Sequence, residues 1–143
     1  MINYPVEVLL ILIEAMKDKD INGKFINWLI QNWPELGAFV NSIKGDEKAL
    51  KWLGNNNFIE LVAIHDALFE EENKAFKWLK DNSYYSALLI SSIKDDKQAS
   101  EWLHNNCKIL YLLAESMQNY KEEFEKEEKS IAKFFSKLHN PFS

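Results

Sequence analysis

The hydrophobic positions of this chain recur with a period of about 25 residues. The pair Trp-Leu occurs four times, at 28–29, 52–53, 78–79 and 102–103, with spacings of 24, 26 and 24 residues. An Asn follows each Trp by four residues, and a Phe or Ala precedes it by three. Because self-similarity at a fixed period of this length is typical of repeat architectures, the A-x-x-W-L-x-x-N unit predicts an internal structural repeat.

A second apolar pattern lies upstream of each Trp-Leu pair. Ile43, Leu68 and Ile93 precede their Trp by nine or ten residues, and the residues three and four positions before them are also apolar, except for His65. Such spacings place residues on one face of an α-helix. Each unit is therefore predicted to contain a helix A, a short link and a helix B. The predicted helices are 4–17, 21–32, 34–44, 46–56, 58–70, 72–82, 84–94, 96–106, 108–119 and 121–138.

Residues that favour helix ends occupy the predicted links. Acidic residues at 46, 70–72 and 95–96 are expected to cap helix B or to interact with its positive end. Pro34 fits the first turn of a helix A, and Ser83 is expected to cap another. The Asn that follows each Trp is expected to take the left-handed conformation that often ends a helix.

These features predict an all-α fold, a stack of about five antiparallel helix pairs in a single domain over 1–143. The approximate units are 4–32, 34–56, 58–82, 84–106 and 108–138. The last helix is atypical, since it begins with a heavily charged segment and carries apolar residues on one side, at 124, 131, 134, 135 and 138. A polar, irregular end unit is what a repeat array needs where it meets water.

Tandem helix pairs of this kind resemble the α-solenoid, or α-α superhelix, proteins, which include the tetratricopeptide, HEAT and armadillo repeats. The resemblance covers nearly the whole chain but lies in the architecture, because the unit is shorter than the roughly 34 residues or more of those families. It implies a right-handed or nearly straight stack with a curved face formed largely by helices B. It also implies a scaffold that binds other proteins, and it carries over no binding residue.

Composition narrows the possible functions. The 17 basic residues are all Lys, and 22 acidic residues give a net charge of −5. An acidic chain without Arg is a poor candidate for nucleic-acid binding, because it lacks the guanidinium group that reads phosphates and guanine edges. No apolar run approaches the ~18 residues of a membrane span, and no secretory signal is recognised. A cytoplasmic protein is expected, and the high Lys, Asn and Ile content suggests a bacterial source.

The repeated tryptophans are expected to be core residues, because each recurs between Ala and Leu on an amphipathic helix. Trp33 lies in a link beside Pro34 and is expected to be the most exposed Trp and a contact site.

Lysines also recur on the predicted helices B. Stacking would align them into a basic ridge that could attract an acidic partner. The alternative is a solvated face with intrahelical ion pairs such as Glu47 with Lys51. The candidate binding residues are Trp33, Lys24, Lys48, Lys51, Lys74 and Lys77.

Catalytic and metal-binding groups are sparse. His104 and Cys107 lie three residues apart, which allows a thiolate–imidazole pair or half of a metal site. The sequence shows neither an orienting group for catalysis nor the further ligands of a zinc site. His65 falls on the inner stripe of its helix, where it is expected to be a core residue. No catalytic residue, metal ligand or cofactor is therefore predicted.

The leading functional hypothesis is a non-enzymatic protein–protein interaction module or scaffold. Its partner is expected to be another protein rather than nucleic acid or membrane, and the oligomeric state is left open. One alternative is an immunity-type or antitoxin-like inhibitor of a basic partner, because complementary charge speeds association. A second alternative is a small enzyme that uses Cys107 and His104.

Overall fold

The computed structural model describes residues 1, 3–18, 23–70 and 73–139. Within these ranges the chain is all-α, with no strand, as the sequence predicts. The described residues form nine helices, and none of them is both long and apolar enough to span a bilayer. They are α1 (Val6–Lys17), α2 (Lys24–Asn32), α3 (Pro34–Ile43), α4 (Glu47–Asn55), α5 (Ile59–Phe69), α6 (Lys74–Asn82), α7 (Tyr84–Ile93), α8 (Lys97–Asn106) and α9 (Lys108–His139).

The alternation of helices A and B is confirmed for α1 to α8, whose bounds lie within a few residues of the predicted ones. The prediction of two final helices, 108–119 and 121–138, is wrong, because both belong to the single helix α9. No Gly or Pro occurs between Lys108 and His139, so the sequence contains none of the residues that commonly end a helix.

The helices are arranged in two layers. The five predicted helices A form an inner layer, in which α1 packs on α3, α3 on α5, α5 on α7, α7 on α9 and α9 on α1. These contacts close the inner layer into a ring. The helices B, α2, α4, α6 and α8, each pack on the two inner helices next to them in sequence. Within the described ranges no two of these outer helices touch each other.

The contact between α1 and α9 differs from the open stack that the solenoid resemblance implies. In an open stack both terminal inner helices would expose an apolar face to water. Here Leu9 and Leu12 of α1 and Leu110 and Leu113 of α9 are all at most 1% exposed. Burial of one such Leu side chain contributes about 1.5–3 kcal/mol, so mutual coverage of the two ends favours closure.

The Leu of each Trp-Leu pair anchors an outer helix to the inner layer. Leu29, Leu53, Leu79 and Leu103 are all fully buried. On the inner helices the buried positions follow the predicted three-and-four spacing, as in Leu36, Phe39, Val40 and Ile43 of α3.

Two links have the same structure, and the acidic caps predicted there are confirmed. Gly45 and Asp95 have φ angles of 99° and 68°. The carboxylates of Asp46 and Asp96 each accept hydrogen bonds from two backbone N–H groups of the next helix, at 3.0 to 3.3 Å. The acidic residues predicted to act at 71 and 72 lie outside the described residues, and α6 begins after Asn73 with no side-chain cap.

Two other predictions about helix ends are wrong. Ser83 precedes α7 but makes no side-chain cap, because its hydroxyl donates to Glu60 instead. The repeated Asn does not adopt a left-handed conformation. Its side-chain amide donates to the carbonyl oxygen of the Trp four residues earlier, at 2.8 to 2.9 Å in all four units. In the second unit the Trp52 carbonyl also accepts the backbone N–H of Asn56, at 3.0 Å, so the side-chain amide adds a second hydrogen bond to a carbonyl in the last turns of the helix.

Candidate protein-interaction surface

The four repeated tryptophans lie at equivalent positions on the outer helices and are not core residues as predicted. Trp28, Trp52 and Trp102 are 37%, 39% and 38% exposed, and Trp78 is partly buried. Successive residues of a helix are rotated by about 100°, so the Leu that follows each Trp points between two inner helices while the Trp lies at the edge of that contact. The periodicity correctly predicted that these four positions are equivalent, but it did not predict how far their side chains are buried.

Two of these indoles pack against an aromatic residue of the following or preceding inner segment. The Trp52 and Phe58 rings are stacked, with centroids 5.7 Å apart and an interplanar angle of 16°. Trp102 packs on Tyr85 with a centroid distance of 5.8 Å. One side of each indole is therefore held by the protein while part of its surface remains in water, which is a suitable state for an anchor in a protein interface.

The predicted lysines are on the same helices, and all five are exposed. In an α-helix, a residue four positions before the Trp lies beside it, and the residue one position before it faces away from the buried Leu. Within the described part of the chain, Lys24, Lys48, Lys51 and Lys77 form no ion pair. The intrahelical pair of Glu47 with Lys51, which the alternative interpretation expects, is absent. We call the exposed face that carries these groups the Trp-Lys surface; it comprises Trp28, Trp52, Trp78, Lys24, Lys48, Lys51, Lys74 and Lys77.

The lysines do not form the continuous ridge that stacking would produce, because the outer helices are separated from one another by the inner layer. They form one row of separate groups around the ring, with one lysine on α2 and two each on α4 and α6. The row ends at α8, where Gln98 and Glu101 occupy the positions of Lys48 and Lys51. The Trp-Lys surface is therefore confined to three of the four outer helices.

A groove of about 380 Å³ lies beside Trp28 on this surface. Ile11 and Phe25 supply apolar walls, and Lys24 lies at the same groove. It joins apolar surface to a positive charge, so it can receive an apolar side chain that has an acidic neighbour.

Trp33 does not have the exposure predicted for it. Its ring is half-buried and contacts Tyr4 edge to face, with centroids 5.6 Å apart. Tyr4, which precedes α1, packs on it, and Trp28, Trp52 and Trp102 are the more exposed tryptophans. The structure therefore separates Trp33 from the Trp-Lys surface.

A polar cluster lies at the end of the ring where the inner helices begin. The Glu60 carboxylate accepts hydrogen bonds from the hydroxyls of Ser83, at 2.9 Å, and Ser86, at 2.6 Å, and forms an ion pair with the α-amino group of Met1. Ser86 is fully buried. The sequence pattern does not predict this cluster, whose only signal is a carboxylate in the first turn of α5 with two serines at the start of α7.

The electrostatics of this cluster favour a structural role. Burial raises the pKa of Glu60, but the hydrogen bonds from the Met1 ammonium group and Ser86, and the charge of that ammonium, lower it below its ordinary value. The pKa of Tyr4 is raised by burial and by the nearby carboxylates of Glu35 and Glu60. Because donors from the chain itself already occupy Glu60, the cluster ties the first segment of the chain to α5 and α7.

A cavity of about 330 Å³ lies where α3, α4 and α5 meet, lined in part by Ile43, Asp46, His65 and Phe69. His65 Nδ1 lies 3.0 Å from a carboxylate oxygen of Asp66, and its ring lies 4.9 Å from that of Phe69. Asp46 is already engaged as a helix cap. His65 therefore has partners within its own helix and is partly buried.

His104 and Cys107 form no hydrogen bond with each other. The His104 ring packs edge to face on Tyr111 at 5.0 Å, and no hydrogen bond joins it to the half-buried thiol of Cys107 among the described residues. The part of the chain that the structure describes also contains no group of three or more potential metal ligands. Comparison of the chain with protein families, with curated proteins and with solved structures finds no match.

Proposed function

We propose that this chain is a protein-interaction module that binds an acidic protein through the Trp-Lys surface. One observation carries the proposal: partly exposed tryptophans lie beside exposed lysines, of which Lys24, Lys48, Lys51 and Lys77 form no ion pair with a described residue. A lysine row on a molecule with a net charge of −5 concentrates positive charge where the rest of the chain is acidic. Such a local field steers an oppositely charged partner to this side.

The two residue types have separate roles in this proposal. Trp is enriched among the interface residues whose truncation to Ala weakens binding most. Its side chain buries a large apolar area against the partner and has few rotatable bonds to immobilise. Lysines at the rim contribute mainly to the rate of association and to the choice of partner. The groove beside Trp28 supplies a recess for an apolar side chain of the partner.

A protein is a better partner than a nucleic acid. Phosphate-backbone recognition depends on dense positive charge and usually on Arg, whereas this chain has no Arg and excess acidic residues. The lysine row is spread over three helices whose described residues do not touch one another, which suits a folded acidic surface with spaced carboxylates.

A charge-reversal experiment tests the proposal. The wild-type chain, the double variant Lys51→Glu/Lys77→Glu and the double variant Lys94→Glu/Lys108→Glu are each immobilised and exposed to a lysate of the source cells at low salt. All four lysines are exposed, and both variants change the charge equally, so the second is a matched control. We expect wild type and control to retain the same acidic protein, and the Lys51/Lys77 variant to lose at least 90% of it.

Two further results would decide against the proposal. Equal retention by both double variants would remove the Trp-Lys surface from the interaction. Retention of a basic protein instead of an acidic one would favour the inhibitor hypothesis. Trp52→Ala should also weaken capture, and circular dichroism of each variant confirms that the helical fold is retained.

A further inference from the structure

Helix α9 leaves the helical ring and continues into solvent. Among the side chains of α9 that the structure describes, the buried ones all lie in its first part and are Leu110, Leu113, Ala114, Ser116 and Met117. From Glu122 onward every described side chain of α9 is exposed, including all five from 129 to 133. Five consecutive residues exceed one helical turn, so this part of the helix is bare on every side. At 1.5 Å per residue, the portion 122–139 is roughly 27 Å long.

An apolar stripe continues through the sequence of this portion. In the sequence, Phe124, Ile131, Phe134 and Leu138 continue the spacing set by Met117 and Tyr120, at intervals of three, four and seven residues. That spacing is the heptad pattern of a helix that packs against another helix. Ile131 is 55% exposed and makes no apolar contact with the ring that would bury it. An isolated helix of this length is marginal in water, and a partner on the stripe would stabilise it.

The charges along the same portion identify the partner. Residues 121–128 contain five Glu and two Lys, a charge of −3, whereas residues 129–139 contain three Lys and no acidic residue, a charge of +3. A parallel pair of such helices would place each charged half against its like. An antiparallel pair places the acidic half of each helix along the basic half of the other.

We infer that the portion 122–139 of α9 binds a second copy of this chain as an antiparallel helix pair. This inference does not depend on the Trp-Lys surface, which lies on other helices. A register centred near residues 129 and 130 places Phe124 opposite Phe134 of the second copy, and Glu123 near Lys137 of the second copy. The apolar stripe then supplies the contact area and the charged halves set the orientation.

Sedimentation velocity over about 1 to 200 μM protein tests the self-association. We expect wild type to convert from monomer to dimer over this range. Ile131→Asp should weaken the dimer at least tenfold, because it places a charge in the centre of the apolar stripe. Ala132→Asp is the matched control, since Ala132 is the exposed neighbour outside the stripe and receives the same charge. It should change the dissociation constant by less than threefold.

A charge-swap cycle tests the orientation. Glu123→Lys and Lys137→Glu should each weaken the dimer three- to tenfold, and the double variant should return to within threefold of wild type. In a parallel pair these positions would lie roughly 21 Å apart and would not compensate each other. Wild type that remains monomeric at 200 μM, equal loss in the Ile131 and Ala132 variants, or additive losses in the cycle would each overturn the inference.

Discussion

The segments α3–α4 and α7–α8 have the same structure 50 residues apart, and their comparison separates residues that hold the fold from residues that vary. Leu53 and Leu103 are both fully buried at the seam between inner and outer layers. Asp46 and Asp96 cap the outer helices with the same pair of hydrogen bonds. The fold therefore repeats a buried anchor and a helix cap in each segment.

The exposed faces of the two segments differ. Lys48 and Lys51 of α4 correspond to Gln98 and Glu101 of α8, so a basic face is replaced by a neutral to acidic one. The inner helices differ as well, because α7 presents Ser83 and Ser86 to Glu60 where α3 has Trp33 and Leu36. The same backbone arrangement thus presents two chemically different surfaces. The positions that differ indicate where each segment has a role other than stabilising the fold.

The largest effect expected from this comparison is on the buried anchors. Leu53→Ala and Leu103→Ala should each lower the free energy of unfolding by about 2–5 kcal/mol, because each removes a fully buried side chain and leaves a cavity. Trp52→Ala should cost only about 1–2 kcal/mol, since much of the indole is already in water. Urea denaturation followed by circular dichroism measures all three values.

Leu53→Met is the control for this series, because it keeps the side-chain volume and should cost less than about 1.5 kcal/mol. If Trp52→Ala destabilised the chain as much as Leu53→Ala, the indole would be a core residue, as the sequence pattern alone predicts. Unequal costs for Leu53→Ala and Leu103→Ala would show that the two segments are not structurally equivalent.

The sequence predicted the positions of the helices well. It predicted less well which side chains are buried and that the inner helices close into a ring. The positions of α1 to α8 and the acidic caps follow from local rules, because periodicity and capping act within a few residues. The exposure of Trp28 and the contact of α1 with α9 depend on which helices become neighbours, which periodicity does not encode. For the same reason the sequence identified Lys51 and Lys77 as surface groups, but it could not show that Glu60 lies beside Ser86.

The second prediction concerns the polar cluster found only on the α7 side of the comparison. Glu60→Gln should lower the free energy of unfolding at neutral pH by about 1–3 kcal/mol, because it leaves a buried ammonium group without its counter-charge. Folding lowers the pKa of Glu60, so the carboxylate binds protons less tightly in the native chain. The contribution of the Glu60 carboxylate to the free energy of unfolding is therefore complete above the unfolded-state pKa of about 4.3. It is lost as the pH falls through the folded-state pKa.

Urea denaturation of wild type and Glu60→Gln between about pH 2.5 and 7 checks this pH dependence. The stability difference between the two proteins should be largest at neutral pH and should shrink in acid. Glu14→Gln is the control, because Glu14 is half-exposed and its ion pair with Lys17, at 3.7 Å, lies on the surface. Such a pair contributes about 0–1 kcal/mol. A difference that stayed constant down to acidic pH would mean that the charge of Glu60 does not stabilise the ring.

The smallest effect is expected at the helix caps, where the two segments should behave alike. Asp46→Ala and Asp96→Ala each remove two charge-assisted hydrogen bonds at the start of an outer helix and should each cost about 1 kcal/mol. The bonds are nearly identical in length, so the two losses of stability should agree within about 0.5 kcal/mol. Asp→Asn at either site should retain most of the stability that Asp→Ala loses, because Asn caps a helix nearly as well as Asp. Thermal denaturation of the four variants provides the comparison. If the two Ala variants lost clearly different amounts of stability, we would attribute the difference to the residue before the cap. Gly45 adopts its positive φ without strain. Asp95 adopts a positive φ with a side chain that also accepts a hydrogen bond from Gln118.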